Sequence, residues 1–404
     1  MVTSVLPYTD ARTRALAGDG FDGVVRVVVG NMYGTGVLLF DGAAVLTAAH
    51  LFNQSTKFNS ANVIFETLSG SQTIASSQVL THPNYDTANS NNDLALVWLS
   101  QDAPTNAERY GIYRSNNEIG KTITLVGYGI PGSGTSGTLT PFNERPVRLK
   151  ANNQFDADVA LLDKYLGEQS IWEAVNGKQL IADFDNGLAS NDALGVLIKR
   201  DGLGLGLNEG LISKGDSGGP AFIGNLVAGI ASYTSRPSGL GLVPDINNLS
   251  DSSFGEIAAW QRVSAYQQWI DQSLRAQFPS PPATQAAVQK IITEGNVGTT
   301  PVYFWVQFNG VRAEPNQIVS VDYSTRNGTA LAGQDFIATQ GTLKLYSNED
   351  HALIMVEVIS DNVPEPDETF YLDVFSPVGG SFGSGVVQLT AVRTILNDDG
   401  IFGG

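Results

Sequence analysis

Cysteine is absent from this 404-residue sequence, and methionine and histidine are scarce. The lack of cysteine excludes disulfide bonds, thiolate metal sites and a cysteine nucleophile, but it does not by itself assign a compartment. No apolar run reaches the length of about 18 residues that is typical of a membrane-spanning helix. Because the chain has only three histidines, histidine-dependent catalysis must use one of very few side chains.

Basic residues are also few relative to acidic residues. The chain carries 23 Lys and Arg against 40 Asp and Glu, which gives a formal net charge of -17. A surface of this sign repels nucleic-acid backbones and anionic membranes, so both partners are disfavoured. The N-terminal residues lack the basic start and apolar core of a secretory signal, so we expect either that a signal was removed or that export uses another route.

Short alternating or apolar runs separated by Gly, Asn, Asp, Ser and Pro clusters occupy residues 24–263. This pattern predicts β-strands joined by turns, and therefore an all-β unit. Two stretches have helical spacing instead, Val159–Val175 and Ser264–Phe278, and the second is expected to close the unit. A chain of 404 residues exceeds one typical core, so we expect two or three compact units.

A proline-rich segment, FPSPPATQ at Phe278–Gln285, predicts a semi-rigid linker. We therefore assign residues 1–277 to a first domain, 278–284 to the linker and 285–404 to a second domain. In the second domain VYFWVQF, IMVEV and TFYLDV alternate with period two, which predicts a small β-sandwich. The side chains expected to point inward are Val302, Phe304, Val306, Phe308, Ile354, Val356, Phe370, Leu372 and Val374.

The hexapeptide GDSGGP at Gly215–Pro220 is the strongest chemical signal in the chain. A catalytic serine needs a base, a group that orients the base, and donors for the developing oxyanion. The glycines around Ser217 permit a tight turn whose N–H groups can face a substrate carbonyl. His50 ends the run AVLTAAH, and Asp93 starts the run DLALVWL. A lone residue of either kind is more often structural, and only their combination with Ser217 favours catalysis.

GDSGG also fits the G-x-S-x-G elbow of α/β-hydrolases. In those enzymes the catalytic histidine follows the serine, whereas here only His351 does, and it lies beyond the linker. The residues after Ser217, AFIGNLVAGIASY, predict a hairpin of strands rather than the helix that the elbow requires. Chain order and local pattern therefore both argue against this rival fold.

TAAH, the HPNYD…NNDLAL stretch from His82 to Leu96, and GDSGGP resemble the three signature segments of trypsin-like serine proteases, in that family's order. The resemblance extends over roughly residues 20–277. It implies two β-barrels with a C-terminal helix and a site in the cleft between the barrels, and it leaves His82 a structural role. The implied roles are those of base and acid for His50, of orienting group for Asp93, and of oxyanion donors for the Gly215 and Ser217 N–H groups.

The same resemblance places the floor of the primary specificity pocket at Leu211, where trypsins carry an acid. The pocket wall falls at Ser232, Tyr233 and Thr234. Leucine at the floor argues against cleavage after Lys or Arg. Thr234 stands where an open pocket has glycine, so its side chain should shorten the pocket. We expect cleavage after small or medium apolar residues.

Activation is left open by the sequence. In the family a newly cut amino terminus, usually IVGG, pairs with the Asp beside the nucleophile, here Asp216, but no IVGG occurs. Cleavage after Arg12 or Arg14 could free a terminus such as Ala15. Equally, Asp216 could be satisfied without processing, as the resemblance to some bacterial relatives implies.

Acidic residues dominate the second domain, which carries 14 Asp and Glu against 5 Lys and Arg from residue 285 onward. Loops rich in carboxylates at one end of a sandwich can supply the oxygen ligands of Ca²⁺, although acidic loops are usually only solvated. VDYSTRNGTALAGQDF, GTLKL, DETFYLDV and TILNDDG resemble a Calx-beta domain. The positions matching that family's calcium ligands are Glu294, Asp335, Asp361, Glu365, Glu368, Asp398 and Asp399. Ser360, Asn362 and Asn397 stand where the fullest sites have Asp, so fewer or weaker ions are expected.

These inferences together predict a serine endopeptidase that acts on protein or peptide substrates and needs no cofactor for catalysis. Its calcium-binding Calx-beta module would be an accessory domain that can hold a cell-surface or matrix partner. The two resemblances imply a secreted or surface protein of bacterial type. The alternative is a calcium-dependent adhesion or binding protein whose protease domain is inactive.

Overall fold

The computed structural model describes residues 2–52, 59–167, 173–237 and 242–399. The chain divides into two compact units, Met1–Leu39 with Ala43–Gln267 and Phe40–Gly42 with Gln268–Gly404. Both units are built mainly from β-strands, so the predicted all-β class is confirmed. No helix in the described ranges is both long and apolar enough to cross a membrane.

The N-terminal part of the first unit forms a closed barrel. The strands up to its end are β1 (Thr3–Ser4), β2 (Val24–Val29), β3 (Met32–Leu38), β4 (Ala44–Thr47), β5 (Asn62–Thr67), β6 (Gly70–Thr81) and β7 (Ala95–Leu99). The barrel order is β2-β3-β4-β7-β6-β5. Alternate residues such as Val25, Val27 and Val45 fill its interior, as expected for strands with one buried face.

The C-terminal part of the first unit is a curled sheet. Its strands are β8 (Thr122–Gly127), β9 (Gly132–Ser133), β10 (Gly137–Thr138), β11 (Leu149–Gln154), β12 (Ala157–Asp158), β13 (Gln179–Asp183), β14 (Gly210–Leu211), β15 (Pro220–Ile223), β16 (Leu226–Ser235) and β17 (Ile257–Arg262). Seven of them pair in the order β11-β8-β15-β16-β17-β13-β12, and a smaller sheet has the order β10-β9-β1-β14. Phe155 and Trp260 pack edge to face in the core, with ring centroids 5.5 Å apart.

The helices are α1 (Val159–Leu166), α2 (Ala193–Ile198) and α3 (Gln267–Ala276). The predicted helix Val159–Val175 begins where expected, capped by the Asp158 carboxylate, but its predicted extent is wrong. Helix α1 ends at Leu166, before a glycine with φ +56°; residues 168–172 lie outside the described ranges, and 173–175 are not helical. Helix α3 lies within the predicted second helix, whereas α2 was not predicted.

The second unit contains a β-sandwich. Its strands are β18 (Ile291–Thr293), β19 (Thr299–Gln307), β20 (Val319–Asn327), β21 (Gln340–Leu345), β22 (His351–Ile359), β23 (Glu368–Val378) and β24 (Gln388–Leu396). One sheet has the order β18-β24-β23-β20-β21, and β19 pairs with β22 in the other. The residues predicted to point inward all belong to the core, with Val306 and Phe308 at its partly buried margin. The predicted alternation is therefore confirmed.

Candidate active site and candidate metal centre

Strand pairing brings His50 and Asp93 together. Strands β4 and β7 are antiparallel neighbours with Thr47 opposite Ala95, so the residues just after β4 lie beside those just before β7. The backbone N–H of His50 donates to Asp93 Oδ1 at 2.8 Å, and His50 Nδ1 lies 2.8 Å from Asp93 Oδ2. Since a carboxylate can only accept, Nδ1 carries the proton and Nε2 presents its lone pair.

Burial differs sharply between these two side chains. The Asp93 carboxylate is 1% exposed, whereas the His50 side chain is 28% exposed. A buried carboxylate requires donors for its remaining lone pairs. The Ser232 hydroxyl on β16 supplies one, donating to Asp93 Oδ2 at 2.5 Å. The pair is therefore rigidly held on its Asp93 side and accessible on its His50 side.

Ser232 has a position that the sequence did not reveal. The sequence resemblance places Ser232 in the wall of the specificity pocket, and the structure adds that its hydroxyl donates to Asp93, 139 residues away in the chain. The Gln261 side-chain amide donates to Ser232 Oγ at 3.4 Å. No local pattern distinguishes this serine from its neighbours, because the contact depends on how the two halves of the first unit pack.

Ser217 lies in a tight loop fixed from several sides. The Asp216 carboxylate is buried and accepts the N–H groups of Gly129 and Ser213, each at 2.8 Å, while burial raises the pKa of Asp216. The Ser217 carbonyl accepts the Thr35 N–H at 2.8 Å. Within the described ranges, the N–H groups of Gly215 and Ser217 donate to no protein acceptor. Two free donors in one loop can bind a developing oxyanion.

The Ser217 loop packs directly against the His50 segment. A Cβ added at Gly34 would lie 2.7 Å from the Ser217 carbonyl oxygen and 2.6 Å from the side chain of Leu51. A Cβ at Gly218, where φ is +83°, would lie 2.0 Å from Thr47 Oγ1. Both positions therefore require glycine for close approach.

The hydroxyl of Ser217 makes no hydrogen bond to His50 in the part of the chain that the structure describes. Serine–histidine hydrogen bonds are often loose in enzymes without substrate. The structure thus joins Asp93, His50 and Ser232 by hydrogen bonds and brings Ser217 to them by backbone packing.

The residues assigned to the specificity pocket lie on two sheets of the first unit, Leu211 on β14 of the smaller sheet and Ser232, Tyr233 and Thr234 on β16 of the seven-stranded sheet. Leu211 is fully buried in the core, paired with Thr3 of β1. The Tyr233 hydroxyl donates to Gln179 Oε1 at 2.9 Å. Thr234 is partly buried and lies in register with Ala258 of β17. The Leu211 side chain is apolar, so it offers no charge of its own.

At one end of the sandwich of the second unit, three carboxylates converge. Asp335, Glu365 and Glu368 each offer an oxygen within 4.8 Å of the others. Asp335 is 9% exposed, and its carboxylate is oriented by the Leu331 N–H at 2.6 Å. Burial raises the pKa of Glu368 to about 7, and the neighbouring Asp335 and Glu365 add to this effect. These are hard oxygen donors of the kind that calcium binds.

The other predicted ligands border this group. Glu294 is 5% exposed, and burial together with the charge of Asp361 raises its pKa to about 7. The N–H of Gly295 donates to Asp398 Oδ1 at 3.0 Å, which places Asp398 beside Glu294. One oxygen of Asp399, Oδ2, is buried and has no hydrogen-bond partner within the described ranges. An unpaired buried carboxylate oxygen is costly, and a cation would satisfy it.

Ser360 and Asn362, which stand where the fullest Calx-beta sites have Asp, donate hydrogen bonds instead. Ser360 Oγ donates to the Glu294 carbonyl at 2.7 Å. Asn362 Nδ2 donates to the Asn296 carbonyl at 3.1 Å. These contacts fix the loops but remove two potential carboxylate ligands.

Two family models match the sequence. The one described as Trypsin matches residues 19–158, and the one described as Calx-beta domain matches residues 305–399. The chain contains a trypsin domain followed by a Calx-beta domain. Both predicted resemblances are thus confirmed. The trypsin match includes His50 and Asp93 and ends before Ser217, so Ser217 depends on its own motif and on the loop contacts described above.

Curated relatives share only short segments with this chain. The sodium/calcium exchanger Calx of Drosophila melanogaster is 40% identical over 93 residues, covering 22% of this chain and 10% of the exchanger. Sodium/calcium exchanger 2 of Homo sapiens is 36% identical over 104 residues, covering 22% and 11%. Adhesion G-protein coupled receptor V1 of Danio rerio is 29% identical over 131 residues, covering 29% and 2%. The chain therefore spans about a tenth or less of the length of these relatives.

Proposed function

We propose that the protein is a serine endopeptidase that hydrolyses peptide bonds through an acyl-enzyme at Ser217. The observation that supports this most strongly is the hydrogen-bond chain from Ser232 through Asp93 to His50 Nδ1. That chain leaves Nε2 as a base on the partly exposed side of the imidazole, where the Ser217 loop packs. A trypsin domain implies protein substrates.

In the proposed reaction, His50 Nε2 takes the proton of Ser217 as Oγ bonds to the carbonyl carbon of the substrate. The N–H groups of Gly215 and Ser217 donate to the oxyanion that forms. The carbon–nitrogen bond then breaks, and His50 gives its proton to the leaving amine. Water repeats these steps on the acyl-enzyme, with His50 again as base. Asp93 keeps the imidazole in the required tautomer and stabilises its charged form.

A fluorophosphonate probe tests the nucleophile directly. At neutral pH the intact protein should be labelled at Ser217, because only a serine with an adjacent base reacts readily. The Ser217→Ala variant should not be labelled, and His50→Gln should react at least about 100-fold more slowly. Ser136→Ala, at a serine in an exposed turn, is the matched control and should behave as wild type.

Mass spectrometry of the labelled chain also reports on activation. An uncut chain that carries the label would show that no cleavage after Arg12 or Arg14 is needed. This outcome is expected because the Asp216 carboxylate already accepts the N–H groups of Gly129 and Ser213. Absence of labelling in folded wild-type protein, both uncut and cut after Arg14, would refute the protease proposal and favour the adhesion or binding alternative.

Substrate preference should follow from Leu211 and Thr234. We propose cleavage after small or medium apolar residues, because the buried Leu211 offers no charge to a basic side chain. In a peptide library, kcat/KM should be at least about tenfold higher with Ala or Val before the scissile bond than with Lys or Arg. Thr234→Gly should shift the preference towards larger apolar residues. A preference for Lys or Arg would overturn this assignment.

We further propose that the acidic cluster of the Calx-beta domain binds Ca²⁺. The convergent oxygens of Asp335, Glu365 and Glu368, with Glu294 and Asp399 beside them, fit the oxygen ligands of this ion. When bound, calcium would hold together the loops that carry these residues. Such a module suits an extracellular setting, where calcium is abundant, and on this ground we place the protein outside the cell.

Calcium removal gives the corresponding test. Adding CaCl₂ at about 100 times the dissociation constant should stabilise the domain by about 2.7 kcal/mol relative to chelator, seen as a higher melting temperature. The variant Glu365→Gln with Glu368→Gln should lose most of this gain. Asp367→Asn, at an exposed neighbouring acid, should retain it. If calcium raises the melting temperature of the double variant as much as that of wild type, Glu365 and Glu368 are not ligands.

A further inference from the structure

A second group of carboxylates lies inside the trypsin domain, outside the catalytic site. Asp183 ends β13, Asp185 follows it, and Asp192 caps the N-terminus of α2. Each of the three offers an oxygen within 4.8 Å of the others. Their exposed fractions are 3%, 5% and 3%, so the group is enclosed by protein. Nothing in the family matches accounts for this cluster, because they end at residue 158 and resume at 305.

Backbone donors orient two of the three side chains. The Leu194 N–H donates to Asp183 Oδ2 at 2.6 Å. The N–H groups of Gly195 and Gly202 donate to the two oxygens of Asp192 at 2.6 and 3.1 Å. The first turn of α2 and the loop beyond it therefore hold the carboxylates side by side, against their mutual repulsion.

Asp185 differs from Asp183 and Asp192 in its hydrogen bonding, and this difference is independent evidence for a ligand. Its Oδ1 is buried and has no hydrogen-bond partner among the residues that the structure describes. A buried carboxylate oxygen without a partner carries a large desolvation cost, so native structures almost always satisfy it with a donor, a water or an ion. Oδ1 belongs to one of the three carboxylates that converge, so a cation shared by them would satisfy it.

Two more acidic residues, Glu209 and Asp156, lie beside the group. The Asp185 N–H donates to Glu209 Oε1 at 2.8 Å, and Asp156 lies beside Asp183. Over the described ranges, no Lys, Arg or His side chain pairs with any of these five acids. The described part of the chain therefore supplies no basic side chain to offset the repulsion among these acids, and a bound cation would offset it.

We infer that Asp183, Asp185 and Asp192 form a calcium site in the trypsin domain. Calcium binds oxygen at about 2.3–2.6 Å, so two ligands of one ion are at most about 5 Å apart, which the 4.8 Å limit on this group satisfies. Magnesium requires a smaller, nearly ideal octahedron and retains its waters, so it fits a set of three enclosed carboxylates less well. Backbone carbonyls or water would complete the coordination.

Position in the chain indicates what the ion would do. Glu209, which contacts the Asp185 backbone, directly precedes β14, and β14 ends at Leu211. The site therefore anchors the long segment between β13 and β14, which leads into the proposed pocket floor and then the Ser217 loop. Calcium would act here as a structural ion for the second half of the domain, and it takes no part in the reaction.

The test uses the full chain carrying Glu365→Gln and Glu368→Gln, so that binding by the Calx-beta domain is suppressed. Isothermal titration with CaCl₂ should find one remaining ion, and adding Asp185→Asn should weaken its binding at least tenfold. MgCl₂ should bind more weakly than CaCl₂. The matched control is Glu118→Gln, which removes a buried carboxylate that already pairs with Arg262 and should leave calcium affinity unchanged.

Melting temperatures separate ligation from a merely structural role. Asp185→Asn keeps the shape of a side chain whose Oδ1 has no hydrogen-bond partner within the described ranges, so in chelator it should melt no lower than its parent, and only in CaCl₂ should it melt below the parent. If Asp185→Asn lowers the melting temperature equally in chelator and in CaCl₂, the proposal is overturned. Unchanged calcium binding by Asp185→Asn would also overturn it. Neither measurement requires peptidase activity, so an inactive protein could still show the site, and an active one could lack it.

Discussion

Replacing Asp93 by Asn should lower kcat by about 10⁴-fold while leaving the fold intact. The reason lies in two of the three donors that Asp93 faces, the backbone N–H and the Nδ1–H of His50. Its Oδ1 accepts the backbone N–H of His50, which cannot turn away, so the amide oxygen of an asparagine must take that position. The amide NH₂ then faces His50 Nδ1. Since NH₂ can only donate, it forces the imidazole proton onto Nε2, and the base that Ser217 needs is lost.

The measurement is steady-state hydrolysis of a peptide substrate, together with a melting curve for each variant. Ser232→Ala is the matched control, because it removes one hydrogen bond to Asp93 and leaves the tautomer unchanged. A hydrogen bond to a charged group contributes about 1.5–3 kcal/mol to stability, so Ser232→Ala should melt at a lower temperature than wild type but keep far more of its kcat than Asp93→Asn does. Retention of more than about a tenth of the activity by Asp93→Asn would contradict the assigned role.

Sequence reasoning was most successful where one segment carries the whole signal. The period-two alternation in β19, β22 and β23 predicted the core of the sandwich, because a strand with one buried face shows this in its own residues. His50, Asp93 and GDSGGP stand out in the sequence for a similar reason, since each lies at an end of an apolar run or in a glycine-rich turn, and their catalytic roles stay a prediction. The proline-rich segment predicts a boundary at residues 278–284, whereas the structure divides its two compact units after Gln267.

What could not be predicted depends on contacts between distant segments. The Ser232 hydroxyl meets Asp93 only when β16 packs beside the loop before β7. Helix α2 has six residues, too few to show a helical period, and its capping Asp192 looks like an ordinary loop acid. Asp183 and Asp185 flank a buried phenylalanine in an apolar strand context, and nothing local shows that Asp192 folds back against them.

Arg148→Met should destabilise the trypsin domain by about 3–5 kcal/mol. Arg148 is 4% exposed and precedes β11, and its guanidinium forms an ion pair with the buried Asp22. It also donates to the carbonyls of Ala15 and Val24, at 3.1 and 3.2 Å. One side chain thus ties the N-terminal segment and the closed barrel to the second sheet. Methionine would fill the space but leave Asp22 as a buried charge without its partner.

Urea denaturation followed by tryptophan fluorescence measures the loss, with the midpoint shifting and the slope unchanged. Arg145→Met is the matched control three residues earlier, where Arg145 pairs with Glu66 but its side chain is 64% exposed. An exposed pair contributes about 0.2–1 kcal/mol, so this variant should be nearly as stable as wild type. Adding Asp22→Asn to Arg148→Met should recover part of the loss, because the unpaired charge is then removed. Equal destabilisation by Arg145→Met and Arg148→Met would show that burial of the Asp22 pair does not determine its contribution.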